Sequence, residues 1–359
     1  MKTEHKFSYN WNLKDTIFTK DKGKVFSCFA CGGGSTMGYK LAGFDVIGHN
    51  DIDKKMIEVY KENHKPKFSF LESITTFAKR KDLPKELYNL DILDGSPPCS
   101  SFSMAGNREK DWGKEKVFRE GQELQVLDTL FFDFIDLAKE LQPKVVVAEN
   151  VKGLLMGNAK QYVLKIYDEF DKAGYYCQHF LLNASKMGVP QRRERVFFVC
   201  LRKDLATKFL HYADMFTELP KITMEFDEKE IPFKDFDSGK PGLKLPPCII
   251  KDDNYIKCNN GESMGNYTRR TIGKEKYFSY KKVNPERALS TILAAYDSGE
   301  FRIDMPNFLH YEDLINGGSY PKDYNFLNLK HKYLIGMSVP PIMTAQIAYN
   351  IYDQWLSKL

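Results

Sequence analysis

The 359-residue chain lacks several features, and each absence excludes a class of protein. No apolar run approaches the roughly 18 residues that a membrane-spanning helix needs. The seven cysteines are scattered and odd in number, so a disulfide framework is not expected and a reducing compartment is. Residues 1–15 lack the apolar core of a signal peptide, so the expected location is cytoplasmic, away from any membrane. There is no internal repeat and no low-complexity tract. Neither charge sign dominates: 53 Lys and Arg face 48 Asp and Glu, a net +5 that suits a polyanionic partner without requiring one. What remains, 42% hydrophobic and 28% charged, is a globular composition that can bury a core unaided. At about 100–200 residues per domain, two domains fit this length.

Short apolar runs recur through the first 200 residues, at Val25–Phe29, Asp45–Gly48, Leu90–Leu93, Val145–Ala148 and Val196–Leu201. Runs this short read as strands buried on both faces. Between them, Val126–Gln142 carries Leu127, Leu130, Phe131, Phe134, Leu137, Ala138 and Leu141 at helical spacing, and Pro143 stops it. Alternating strands and helices predict an α/β fold with a parallel sheet, helices on both faces, and a ligand site beyond the carboxyl ends of the strands. After Arg202 the chain turns polar, without a helical period, and predicts a smaller irregular or β-rich domain. Near the end, Pro340-Pro341 opens a helix to about Trp355, with Ser338 as its cap. The expected division is 1–202, 203–325 and a returning segment 326–359.

The stretch Phe26–Ser35, FSCFACGGGS, offers two readings. Cys28-x-x-Cys31 has the spacing of a metal or redox pair, but no second Cys or His pair lies near it, so no metal site is expected. The three glycines read instead as a turn where backbone approaches a ligand closely. About twenty residues on, Asp51 ends the next apolar run, where a carboxylate accepts hydrogen bonds from a ribose. Together these point to a nucleotide or nucleoside cofactor.

A third cysteine has a different setting. In GSPPCSSFS, Pro97 and Pro98 rigidify the backbone before Cys99, which suits a nucleophile at a strand-to-loop corner. AENVKGLL places Glu149 at the end of another strand, and VPQRRERVFFV places Arg192, Arg193 and Arg195 before a further one.

With these segments the chain resembles the DNA (cytosine-5) methyltransferase family of bacterial restriction–modification type. The resemblance rests on FSCFACGGGSTMGYKLAG, HNDID, GSPPCSSFS, AENVKGLL, QRRERVFFV, ERALSTILAAY and IGMSVPPIMTAQIAYNI, in the family's order. It implies a Rossmann-like, S-adenosylmethionine-dependent fold with a smaller target-recognition domain. It implies Cys99 as nucleophile toward cytosine C6, Glu149 on N3 and the exocyclic amine, Arg195 on the base carbonyl oxygen, and Arg193 holding phosphate or orienting the loop. It implies S-adenosylmethionine held by Phe29, Gly33, Gly34, Asp51, Ile52, Pro98, Leu130, Ser338 and Val339. Cys28 and Cys31 then have no catalytic role. Met337 departs from the family's usual asparagine.

For double-stranded DNA, the resemblance implies a flipped-out target base. Ser100–Gln125, with Arg108, Lys110, Lys114, Lys116 and Arg119, reads as a mobile basic lid, Ser100, Arg108 and Lys110 being its expected DNA contacts. In Met264–Val283, Arg269 and Arg270 stand among tyrosines, a mixture suited to phosphate and base contacts. The function implied is the modification enzyme of a restriction–modification system, a monomer with a cognate endonuclease acting separately. Two alternatives stay open: a tRNA cytosine-5 methyltransferase of the same family, and a catalytically silent DNA-binding member.

Overall fold

The computed structural model describes residues 5–98, 115–116, 125–126, 129–157, 159–212, 217–295 and 298–359. The chain forms two compact units. One comprises Phe18–Leu182, Glu194–Glu225 and Ala345–Leu359; the other comprises Met1–Ile17, Asn183–Arg193 and Phe226–Thr344.

The first unit is an α/β layer structure. Its strands are β1 (Lys24–Cys28), β2 (Asp45–Asp51), β3 (Phe68–Leu71), β4 (Ile92–Gly95), β5 (Val145–Val151), β6 (Tyr175–Asn183) and β7 (Glu194–Arg202). They make a seven-stranded sheet in the order β3-β2-β1-β4-β5-β7-β6. The order reverses at β1, and in such a sheet the crevice beyond the strand ends at the switch point receives the ligand. β1 to β5 pair in parallel, but β7 runs antiparallel to β5, with Phe197 opposite Glu149. The expected all-parallel sheet is therefore corrected to a mixed one. The strand Val196–Leu201 had the right composition, but a short apolar run carries no direction.

The helices α1 (Gly34–Leu41), α2 (Lys54–His64), α3 (Leu130–Leu141) and α4 (Ala159–Lys172) cover the sheet. α3 begins four residues later than its periodicity suggested, because Gln125–Val126 pairs as a strand with Glu115–Lys116. It ends as expected before Pro143, with Gln142 in the left-handed region at φ 50°. Its apolar stripe packs Leu130, Phe131, Phe134 and Leu137 into a core shared with Phe26, Leu93, Val146 and Phe198. Trp355 near the chain's end is fully buried, and its indole N–H donates to Lys221 O at 2.8 Å. Tyr352 meets Phe44 edge-on, with centroids 6.1 Å apart.

The second unit is not merely irregular. The segment expected to lack helical period contains α5 (Met264–Ile272), capped by the Ser263 hydroxyl and closed by Gly273 at φ 69°. Met264 and Tyr267 join Leu245, Ile249, Cys258 and Phe301 in a small core. Tyr280–Lys282 and Gly299–Phe301 pair in parallel. The N-terminal segment is tied to residues far along the chain: Trp11 Nε1 donates to Ser319 O at 3.0 Å, and Leu13 N to Asp323 Oδ1 at 2.7 Å. Pro341–Gln354 is helical as expected, but Ser338 is not its cap. The Ser338 hydroxyl donates to Leu334 O, and the Ile342 N–H goes to the Ser319 hydroxyl instead. Among the described residues, no helix is long and apolar enough to cross a membrane.

Close strand packing makes one position sensitive. A Cβ on Gly48 of β2 would stand 2.7 Å from both Cβ and the carbonyl oxygen of Phe68 on β3. Gly48→Ala is expected to cost about 1–3 kcal/mol in urea unfolding. Leu164→Ala, on an exposed face of α4, is expected to change stability by less than about 0.5 kcal/mol.

Candidate functional site

The glycine turn joins the end of β1 to α1 through three left-handed residues: Phe29 at φ 51°, Cys31 at φ 49° and Gly33 at φ 85°. Side chains are costly in that region, so something must hold the turn. Asp51, at the end of β2, does so. Its carboxylate accepts the Cys31 N–H at 2.8 Å through one oxygen and the Asp53 N–H at 2.8 Å through the other. Burial pushes the Asp51 carboxyl up to about 6, although these N–H groups pull the other way. Asp53 caps α2 by accepting from Lys55 N at 2.9 Å. Ile52 lies between the two carboxylates, partly exposed.

Gly33 has a second reason to be glycine. A Cβ there would stand 2.3 Å from Nε2 of buried His64. Gly34 is buried as the first residue of α1. The Phe29 ring is half-buried, 6.4 Å from the ring of Phe134. Leu130 is buried at the start of α3, and Pro98 is partly exposed. Cys28 is buried in β1, where desolvation pushes its thiol well above the ordinary value, a setting that suppresses a thiolate. Cys31 Sγ lies 3.5 Å from Met56 Sδ.

On the neighbouring strands, Glu149 and Arg195 meet. They sit diagonally on β5 and β7, since Glu149 pairs with Phe197 and Arg195 with Val151. Residues two apart on a strand share a face, which puts both side chains on one side of the sheet. Arg195 Nε lies 2.9 Å from Glu149 Oε1, both side chains being mostly buried. Burial lowers the Arg195 guanidinium from its ordinary value, and the Glu149 carboxylate opposes that loss. The pair offers a hydrogen-bond acceptor and a cationic donor side by side, a constellation that recognises a planar polar ligand. Asn150, which the motif reading passed over, is also buried. Its amide donates to Pro97 O at 3.2 Å and so steadies the segment entering Cys99.

Arg193 belongs to the second unit, and its side chain is buried. Its two terminal nitrogens donate to Ile292 O at 3.3 Å and Gly336 O at 3.0 Å. Of the two roles implied for it, these bonds suit orienting the loop rather than holding phosphate. Gln191, also missed, binds the same region: its amide donates to Gly317 O at 3.1 Å, and its carbonyl accepts Ile292 N–H at 2.9 Å. The Gln-Arg-Arg-Glu-Arg string was the signal for it. Ser338 and Val339 are buried in this unit too, and Met337 ends the short helix before them.

On α5, Arg269 and Arg270 are exposed in the last turn. Each has an acidic partner: Arg269 pairs with Glu275, and Arg270 with Glu262 at 3.1 Å. The Arg270 guanidinium also lies 5.4 Å from the Tyr267 ring centroid. Cys99, Ser100, Arg108 and Lys110, with nearly all of the expected lid, lie outside the described residues.

Comparison with known proteins adds independent findings. The family model described as C-5 cytosine-specific DNA methylase matches residues 23–353. The chain is 36% identical over 240 residues to the type II methyltransferase M.NgoPII of Neisseria gonorrhoeae, covering 67% of this chain and 63% of that protein. It is 34% identical over 239 residues to M.FnuDI of Fusobacterium nucleatum, covering 65% and 63%. The chain thus spans about 63% of the length of these two curated relatives. With M.NgoFVII of Neisseria gonorrhoeae the identity is 26%, over 93% of this chain and 87% of that protein. Among solved structures, the S. pombe Dnmt2 methyltransferase is similar in fold with a TM-score of 0.56 at 15% identity, covering 92% of this chain and 98% of that one. A protein encoded within an E. coli prophage reaches a TM-score of 0.63 at 20% identity, covering 92% and 99%.

The raised Asp51 carboxyl has a consequence for stability. Its proton binds more tightly in the folded state, so its contribution is present below about pH 4 and is lost as pH rises through about 6. A two-unit rise corresponds to about 3 kcal/mol. Asp51→Asn has nothing to ionise, so its stability relative to the wild type should improve by up to that amount between pH 4 and 7. A pH-independent difference in urea unfolding would show that Asp51 titrates at its ordinary value.

Proposed function

The chain belongs to the C-5 cytosine-specific DNA methylase family, and from that membership we propose that it methylates C5 of cytosine within a specific sequence of double-stranded DNA. S-adenosylmethionine is the methyl donor, as the family implies. The observation that carries this reading is the buried Glu149–Arg195 pair at the strand ends, beside the proline segment that leads to Cys99.

In this reading the base is flipped out of the duplex to reach the site. The Cys99 thiolate would add to C6, which leaves C5 electron-rich enough to take the methyl group as the donor's sulfonium–methyl bond breaks and its sulfur leaves as a neutral thioether. Loss of the C5 proton then restores the C5–C6 double bond and expels Cys99 as thiolate. Glu149 receives the N3 and amine edge of the base, and Arg195 its carbonyl oxygen, so the charge developing on the ring in the adduct is met by groups already in place. Phe29, Gly33 and Gly34 would hold the cofactor at the turn, with Asp51, Ile52, Pro98 and Leu130 beside them. Ser338 and Val339 are the remaining residues that the family resemblance assigns to it. Arg269 and Arg270 meet DNA phosphates by exchanging their acidic partners for them. A modification role beside a separate endonuclease, and a monomeric enzyme, belong to the same proposal.

Transfer of labelled methyl to mixed-sequence duplex DNA, with tRNA alongside, tests it. 5-Methyldeoxycytidine from the duplex is the expected product. Label confined to tRNA would place the protein with the RNA-modifying alternative, and cofactor binding without any transfer would favour the silent one. Cys99→Ala should abolish transfer while cofactor binding survives, and full turnover would overturn the mechanism. Glu149→Gln should lower kcat by about 10²–10⁴-fold with cofactor affinity retained.

The contacts proposed for α5 are tested separately. Arg269→Ala and Arg270→Ala should each weaken DNA binding at low salt and reduce the slope of log affinity against log salt by about 1. An unchanged slope in both would remove α5 from the DNA contacts.

A further inference from the structure

One buried carboxylate near this site has no part in the mechanism above. Asp94 stands on β4 immediately before Gly95 and is almost fully buried. Its two oxygens are divided between two hydroxyl donors. Ser27 Oγ donates to Oδ2 at 2.7 Å, and Tyr39 OH to Oδ1 at 3.1 Å. Both donors are themselves buried. Ser27 is the direct partner of Asp94 in the parallel pairing of β1 with β4.

The positions of the donors matter more than their number. Ser27 lies two residues before Phe29, on the strand that enters the glycine turn. Tyr39 lies on α1, the helix that leaves it. One carboxylate therefore grips both arms of a turn that contains three left-handed residues. Its own strand leads to Pro97, whose carbonyl Asn150 holds from the other side. A buried charge is expensive, and an apolar residue at this place would avoid the cost. Linking two elements is a use that could justify it.

We propose that Asp94 is a positioning residue that locks both arms of the cofactor turn to β4 and so fixes the shape of the cofactor site. This rests on the functional reading above. The groups facing the carboxylate are Cys28 on β1, Tyr39 on α1, Tyr60 on α2 and Glu149 on β5. Among the described residues none of these is a cation, and the carboxylate's side-chain hydrogen bonds come from the two hydroxyl donors. In keeping with this, burial pushes the Asp94 carboxyl up to about 7, with the Glu149 charge adding to the effect and the two hydroxyls opposing it.

The test uses the full-length protein and S-adenosylmethionine itself. Ser27→Ala and Tyr39→Phe, each removing one hydroxyl, should raise the cofactor Kd roughly 5- to 20-fold. DNA affinity should stay within about 2-fold. Asp94→Ala should do more than either, whereas Asp94→Asn, whose amide can accept from one hydroxyl and donate to the other, should stay within about 3-fold of the wild type. Amide hydrogen exchange at residues 29–36 should speed up in the two hydroxyl variants, with or without cofactor. Wild-type cofactor affinity in both hydroxyl variants, or an equal loss of DNA affinity, would overturn the proposal. So would unchanged exchange in the turn. If the wild type itself bound no cofactor, the functional reading would fall, while faster exchange in the variants would still uphold the lock. Should Asp94→Ala fail to fold, the hydroxyl variants decide the matter.

Discussion

The turn after β1 closes against its own backbone preference. Phe29 and Cys31 carry side chains in the left-handed region, at a cost of about 1 kcal/mol or more each. The Asp51 carboxylate offsets this by taking the Cys31 N–H, and it sits at the end of the adjacent strand only because β2 pairs with β1 in parallel register. Sheet register, turn and α1 are therefore one mechanical object. Shifting β2 by one residue would turn Asp51 to the other face of the sheet and leave the turn unsupported.

The Glu149–Arg195 pair follows a related logic. Both charges are largely withdrawn from water, and each makes the other tolerable there. The antiparallel strand is what permits it. If β7 ran parallel to β5 as β4 does, Arg195 at its start would lie at the opposite end of the strands. The reversal that the sequence reading missed is thus the feature that joins two of its motifs.

Most strands were legible because a strand buried on both faces has to be short and continuously apolar. β3 and β6 escaped notice because they are not: Phe68–Leu71 is only half-buried, and Tyr175–Asn183 mixes Gln178 and His179 with aromatics. α5 escaped because Arg269 and Arg270 broke the apolar stripe, though Ser263 and Gly273 marked its two ends. At the site, residues that belong to a motif were legible, and those acting through hydrogen bonds were not. Nothing in the string DILDG tells that Asp94 will meet Ser27 and Tyr39 from two other elements, and nothing in ENV tells that Asn150 will reach the Pro97 carbonyl. Ser338 shows the reverse error. A serine before a helix is a good cap by type, but here the preceding short helix takes its hydroxyl.

The bonds from Trp11 to Ser319 and from Leu13 to Asp323 span 308 and 310 residues, and Trp355 reaches back 134 residues to Lys221. During synthesis neither unit can complete its packing early. The N-terminal segment must wait for residues near 320, and the sheet unit must wait for the helix that ends near Gln354. Long-range closure of this kind slows folding and leaves apolar faces uncovered in the meantime.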